Sequence, residues 1–325
     1  MSSSLASSSL ESPHLEKGSS LWADAFLRLR KNKLALLGGL TVLLILLACF
    51  LAAPILSLCG FDANSQDLNQ RFTGPSSRAF LGTDQLGRDL LMRVLEGGQI
   101  SLLVALLATA VTVAIGTLYG GLAGYLGGRW EGLMMRLVDG LLAMPFLIIV
   151  ILFRELISVK TDEGARWFID TLNFDPDLVL RFANLLPLIL AIAAFGWLNM
   201  GRIVRSSAAS LRRQEFVEAA RSLGLSHPRI LLRHLLPNML GPIIIYATLT
   251  IPSFILYEAT LSFIGLGVEP PNSSWGILIK EGANFLETQP LILLYPALLF
   301  SLTLFAFNFL GDGLRDALDP KACKD

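Results

Sequence analysis

Histidine and cysteine are nearly absent from this chain, with three of each. His14, His227 and His234 all fall in polar segments, which argues against a bis-histidine haem span or an intramembrane Ser/His hydrolase. Cys49 sits inside an apolar run, Cys59 just beyond it and Cys323 near the other end, an arrangement that builds neither a disulfide framework nor a metal site.

Two further absences narrow the function. Nowhere does the chain carry the G-x-x-x-x-G-K-[ST] loop that cradles nucleotide phosphates, so energy from ATP must come through another subunit. There is also no TVGYG-like filter or ring of acids of the kind that selects ions. No sequence feature calls for a cofactor or for nucleic acid.

Apolar sequence is abundant by contrast. At 53% hydrophobic, 16% charged and a mean hydropathy of +0.61, the chain is too apolar for a soluble domain of 325 residues and reads as an all-α polytopic membrane protein. A span needs about 20 mostly apolar residues. Six runs qualify or nearly so: Leu34 to Leu58, Ile100 to Leu126, Gly140 to Phe153, Ala183 to Gly201, Met239 to Tyr257 and Pro290 to Gly311, the third being short. None of them as delimited contains Asp, Glu, Lys, Arg or His, so the intramembrane relay of a proton-coupled pump is missing. Glu258 stands just past the fifth run and is read as an interfacial carboxylate.

An even number of spans puts both termini on one side. Lys and Arg cluster in the N-terminal tail, at Arg129 and Arg136, in the seven arginines from Arg202 to Arg233 and in the C-terminal tail, so the expected orientation is N-in, C-in. The zero formal net charge then conceals a cationic inner face and an acidic outer one. The first apolar run is longer than a signal-peptide core and follows a Ser-rich stretch, so it reads as a retained helix behind a disordered tail over 1–27.

Several local patterns carry more specific expectations. Gly116, Gly120, Gly124 and Gly128 recur every four residues and draw a bare ridge for close approach of another helix, within the chain or in a second subunit. Pro187, Pro252 and Pro296 lie inside spans and permit kinks. LGTDQLGRDLLMRVLEGG (81–98) reads as an interfacial helix with Asp84 and Arg88, and Asp89 and Arg93, at i,i+4 spacing. Arg154 to Arg181 reads as a long acidic outer loop, either ornamental or in contact with a soluble partner.

The most informative stretch is the polar island from Arg202 to Asn238. Its middle predicts two short helices. The first covers Gln214 to Leu223, with Glu215 and Glu218 near its positive end and Gly224 as a left-handed cap. Ser226 caps the second, Pro228 occupies its first turn, and Pro237 marks entry to the fifth span. Phe216, Ala219, Ala220 and Leu223 share one small apolar face, a knob that fits a groove on a partner. Taken by spacing alone, the island could equally be a basic loop that satisfies the topology rule.

The segment EFVEAARSLGLSHPRILLRHLLPN resembles the EAA signature of bacterial ABC importer permeases, with Glu218, Ala219, Ala220 and Gly224 at the defining positions and Leu236 and Pro237 closing it. LGTDQLGRD, AGYLGGRWEGLMMRLVDGLLAMP, YEATLSFIGLGVEPPNSSWG and GDGLRDALDPK extend the likeness from about Arg28 to Lys321. Together they resemble the C-type permeases of the dipeptide, oligopeptide and nickel importer family, most of all its oligopeptide branch.

The resemblance implies a type I importer bundle over 28–320 with its coupling loop at 202–238, followed by a short tail at 321–325. It implies a non-catalytic subunit of the bacterial inner membrane. The implied partners are a homologous B-type permease, two ABC ATPase subunits, an extracytoplasmic peptide-binding protein and membrane lipid. Glu215, Phe216, Glu218, Ala219, Ala220, Arg221, Gly224 and Pro237 are then expected in the ATPase-coupling element. Dipeptide or nickel import, and an ion-coupled secondary transporter, are the alternative readings.

Overall fold

The computed structural model describes residues 21–318 except 78, 173, 174 and 271, together with the side chains of those residues except 21–24, 172, 177 and 178. Residues 1–20 and 319–325, and with them His14 and Cys323, lie outside the described residues, whereas 21–27 of the tail expected to be disordered are helical. Ten helices carry the described chain: α1 Leu21–Lys31, α2 Lys33–Leu58, α3 Leu90–Leu126, α4 Gly128–Leu142, α5 Phe146–Leu172, α6 Pro176–Leu211, α7 Glu215–Ser222, α8 His227–Phe263, α9 Trp275–Ala283 and α10 Pro290–Leu318. Among the described residues there is no strand, only one antiparallel bridge between Thr83 and Asp89.

Five of these helices, α2, α3, α6, α8 and α10, are long and apolar enough to cross a membrane on their own. A sixth crossing requires α4 and α5 together, a pair bent by 92° at the step between them. The third apolar run is therefore not one helix. Pro145 causes the break: it lacks an amide proton and disfavours helical geometry at Met144.

Helix α3 runs through the centre and packs chiefly on α6. Gly116, Gly120 and Gly124 make that contact possible. A Cβ at Gly116 would strike the Met200 side chain, one at Gly120 the Gly201 carbonyl and one at Gly124 the Arg205 carbonyl. The glycine ridge is thus used within the chain, but Gly128 is not part of it: it stands at φ +61° with open space around its Cα. Helices α2 and α10 pair the same way, Gly38 facing the Ala306 carbonyl and Gly313 facing Ala35.

The acidic segment 154–181 is helical over 154–172 and 176–181 and so is not a long loop, because α5 and α6 continue well past their apolar portions. Arg154 is buried in this region and donates to the Gly267 carbonyl at 3.2 Å and to Glu269 at 2.7 Å, joining α5 to the loop after α8. Pro187, Pro252 and Pro296 do lie inside helices, as does Pro242.

Segment 81–98 is only half helical. Its first part is a tight loop with Gly82 and Gly87 at positive φ, and Asp89 caps α3 by accepting from the Met92 amide at 3.0 Å. Asp84 and Arg88 do pair, at 2.7 Å, but across this loop. Arg93 turns away from Asp89 and bonds Asp84 at 2.8 Å and Glu281 of α9 at 2.6 Å. Leu90, Val94 and Leu95 are buried against protein, so the helical half of the segment is the packed start of α3 and not a separate interfacial helix.

Candidate functional site

The polar island divides differently from its sequence pattern. Arg202 to Leu211 continues α6, and two of its arginines clamp α4 across the end of the bundle: Arg202 pairs with Asp139, and Arg205 with Glu131 at 3.2 Å. The chain leaves α6 at Arg212, whose guanidinium donates to the Tyr125 carbonyl at 3.2 Å. Helix α7 follows, with Gln214 in extended geometry at its N-cap.

Helix α7 ends as its sequence requires. Gly224 has φ +74°, its amide donates to the Arg221 carbonyl at 2.9 Å, and the Leu225 amide donates to the Ala220 carbonyl at 3.2 Å. That pair of bonds is a Schellman closure, which a β-branched residue at position 224 would strain.

The predicted second short helix does not stand alone. His227 opens α8, which passes through a π-helical turn at Leu231–Leu235 and runs on to Phe263. Pro237 therefore lies inside a continuous helix and does not mark its entry. The proline has no amide to offer the carbonyl four residues back, and the π turn just upstream absorbs that lost bond. Ser226 holds the N-cap position without a side-chain bond.

The faces of α7 correct the expected knob. Val217 and Ala220 point inward, packing with Tyr125, Val204, Ala208, Ile230 and Leu235. Arg221 is exposed, but its guanidinium carbon lies 5.1 Å above the Tyr125 ring. The opposite face carries Glu215, Phe216, Glu218, Ala219 and Leu223, all exposed, with Leu223 at 81% and Phe216 at 40%. A helix of eight residues thus has one apolar stripe to hold it and a second left open. Ala220 packs inward and Arg221 lies over Tyr125, Pro237 is exposed within α8, and the other five expected residues line or cap the open side.

Two residues missed from sequence complete the support. Tyr125, at the end of α3, bonds His227 Nδ1 at 2.7 Å through its hydroxyl while its ring receives Arg221. Val217 is fully buried. Tyr125 had a signal in its place at the end of a long apolar helix, where an aromatic with a polar tip is suited to the boundary. Val217 had only its i,i+3 relation to Ala220.

A second buried cluster binds the far part of the bundle. Glu258 is fully buried, not interfacial, and accepts hydrogen bonds from Ser101 of α3 at 2.7 Å and Ser262 at 2.7 Å. Ser101 in turn receives the Trp275 amide at 3.2 Å, and the Trp275 indole donates to the Val94 carbonyl at 3.0 Å. The carboxyl group is paid for by hydroxyl donors from helices α3 and α8, which α9 locks in place.

Comparison with known proteins places the chain in a family. The family described as "Binding-protein-dependent transport system inner membrane component" matches residues 116–323, and the "N-terminal TM domain of oligopeptide transport permease C" matches residues 20–75. The chain belongs to the binding-protein-dependent inner membrane component family, the membrane permeases of ABC transporters. It is 42% identical to the oligopeptide transport system permease protein OppC of Haemophilus influenzae over 96% of this chain and 92% of that protein. It is 44% identical to OppC of Escherichia coli K12 over 94% and 93%. To the dipeptide transport system permease protein DppC of Bacillus subtilis 168 it is 40% identical over 92% and 85%.

Proposed function

We propose that the chain is the transmembrane permease subunit of an ATP-driven importer of oligopeptides in the bacterial inner membrane. Both termini and α7 face the cytoplasm, where most of the Lys and Arg outside the spans then lie. A homologous B-type permease completes the passage, two ABC ATPase subunits engage this half and its counterpart, and an extracytoplasmic binding protein delivers peptide.

The observation that carries this reading is the double-faced α7. Val217, Ala220 and Arg221 fasten it to the ends of α3, α6 and α8, while Phe216, Ala219 and Leu223 stay open for a partner. A helix held so firmly on one side transmits force applied to the other. Closure of the ATPases on nucleotide would move α7 and, through Tyr125 and Arg212, the ends of α3 and α6. Such a shift needs the ATPases to favour one bundle state, and turning a 1:99 population into 99:1 takes about 5.5 kcal/mol of unequal binding.

Peptides as the substrate class follow from relatives named for oligopeptide and dipeptide transport. The oligopeptide choice rests on the match of residues 20–75 to the oligopeptide permease C segment.

Ala219→Glu tests the docking role. A carboxylate on the open face would sit unpaired in an apolar groove, at a cost of several kcal/mol. Co-purification of the ATPase pair should fall sharply with membrane insertion unchanged, and an undiminished yield would overturn the assignment.

A further inference from the structure

A cavity of about 250 Å³ opens on the surface of the bundle between the α4–α5 break, α6 and α8. Its walls include Met144 at the break, Asn199 of α6, and Tyr246, Thr250, Ser253 and Tyr257 of α8. We propose that this cavity is the wall of the peptide passage contributed by this subunit, with Asn199, Ser253 and the two tyrosines contacting the backbone amides of peptide in transit. The inference rests on the peptide-import reading and adds the place and chemistry of substrate contact.

Three observations converge on it. The first is the break itself. Helix ends leave carbonyls without helical partners, and non-helical backbone at membrane depth is tolerated only when buried in protein or facing a water-filled cavity. Ala143, Met144 and Pro145 are exposed, so burial within this chain does not cover them.

The second is the polarity of the cavity wall. Asn199 and Ser253 are exposed side chains within membrane-crossing helices. By contrast, the exposed face of α2 is Leu36, Leu40, Leu43 and Leu47. An outward amide facing hydrocarbon would lose its hydrogen bonds, whereas facing a wet passage it keeps them.

The third is the chemistry of the lining. No Asp, Glu, Lys, Arg or His lines the cavity, so it offers nothing to pair with a metal ion or to select a charged side chain. Asn199 supplies both donor and acceptor, and the hydroxyls of Tyr246, Ser253 and Tyr257 can do either. Neutral groups of this kind suit the one feature common to all peptides, the amide backbone. Tyr246 and Tyr257 stand about 16 Å apart along α8 at 1.5 Å per residue, which gives an extended segment a track and not a single point. The volume holds about eight water molecules when peptide is absent.

Cysteine labelling in membranes carrying the intact complex tests the assignment. In a background with Cys59→Ser and Cys323→Ser, the variants Asn199→Cys and Ser253→Cys are compared with Leu40→Cys and Leu302→Cys, which replace exposed apolar residues of α2 and α10. A charged, water-soluble thiol reagent should modify the first two at least about tenfold faster, since only the ionised thiol in water reacts readily, and saturating transported peptide should slow that labelling. Equal rates at all four positions would overturn the proposal, as would fast labelling that peptide leaves unchanged. Peptide uptake by the unmodified wild-type membranes separates the two levels. Normal uptake with either adverse labelling result removes only this cavity assignment, whereas absent uptake removes the peptide-import reading itself. As a second readout, Asn199→Leu should slow uptake roughly tenfold, the effect of losing one hydrogen bond from the passage, while ATPase co-purification stays at the wild-type level.

Discussion

Arg221 lies over the ring of Tyr125, 5.1 Å from guanidinium carbon to centroid, and this contact ties the short α7 to the end of the central helix α3. The same tyrosine bonds His227 at 2.7 Å, so one side chain joins three elements at the base of the coupling segment.

Removing this tie should loosen α7 without unfolding the bundle. A cation–π contact at a partly exposed site contributes about 0.5–1 kcal/mol, so Arg221→Ala should speed hydrogen exchange of the α7 amides about two- to fivefold. Tyr125→Phe keeps the ring and loses only the bond to His227, and Tyr125→Ala loses both and should have the largest effect. Exchange unchanged in Tyr125→Ala would show that Val217 and Ala220 hold α7 by themselves.

Gly224 sets the exit of α7 through its backbone and not through lack of space, since a Cβ there would meet nothing within 4 Å. Gly224→Val should cost about 1–2 kcal/mol for the left-handed conformation and abolish transport while the protein still inserts. Gly224→Asn, which tolerates that region, should keep much of the activity. Uptake measured against membrane protein level for both variants checks the order.

The buried ion cluster at the other end is a stability element. Arg93 lies between Asp84, itself buried, and Glu281. Arg93→Met removes one of the two cations on Asp84 and leaves Arg88 as the other, so it should destabilise by about 1–3 kcal/mol. The thermal unfolding midpoint of the purified complex should fall markedly, and Arg93→Lys should recover part of it.

Asp89 gives a pH signature. Burial raises the pKa of its carboxyl above the ordinary aspartate value, against the lowering pull of the Met92 and Leu91 amides. Because the folded state holds this proton more tightly, ionisation costs stability: nothing is lost below the unfolded pKa, and the loss grows as pH rises through the folded one. Asp89→Asn keeps an N-cap acceptor and removes the charge. Its stability relative to wild type should therefore rise from near pH 4 towards neutrality, as followed by thermal unfolding across pH.

The membrane-crossing helices were legible from sequence because about 20 apolar residues in a row have few other uses. Where charge interrupted the apolar pattern, length misled. Segment 154–181 carries acids and arginines yet is helical over 154–172 and 176–181, since a helix leaving lipid keeps its backbone bonds. The break at Pro145 was written in the sequence, but counting apolar residues joined its two sides. On α7, two apolar stripes were available at helical spacing, Val217 with Ala220 and Phe216 with Ala219. Tyr125, far away in sequence, decides which one turns inward. Glu258 was misplaced for a similar reason, because its hydroxyl partner Ser101 comes from another helix.

Site-directed crosslinking from α7 in living cells tests the central claim most directly. Cysteines replacing Phe216 and Leu223 on the open face should crosslink to the ATPase subunits, and one replacing the buried Val217 should not. Crosslinks that favour Val217, or an α7 that meets no nucleotide hydrolase or is labelled from outside the cell, would contradict the account.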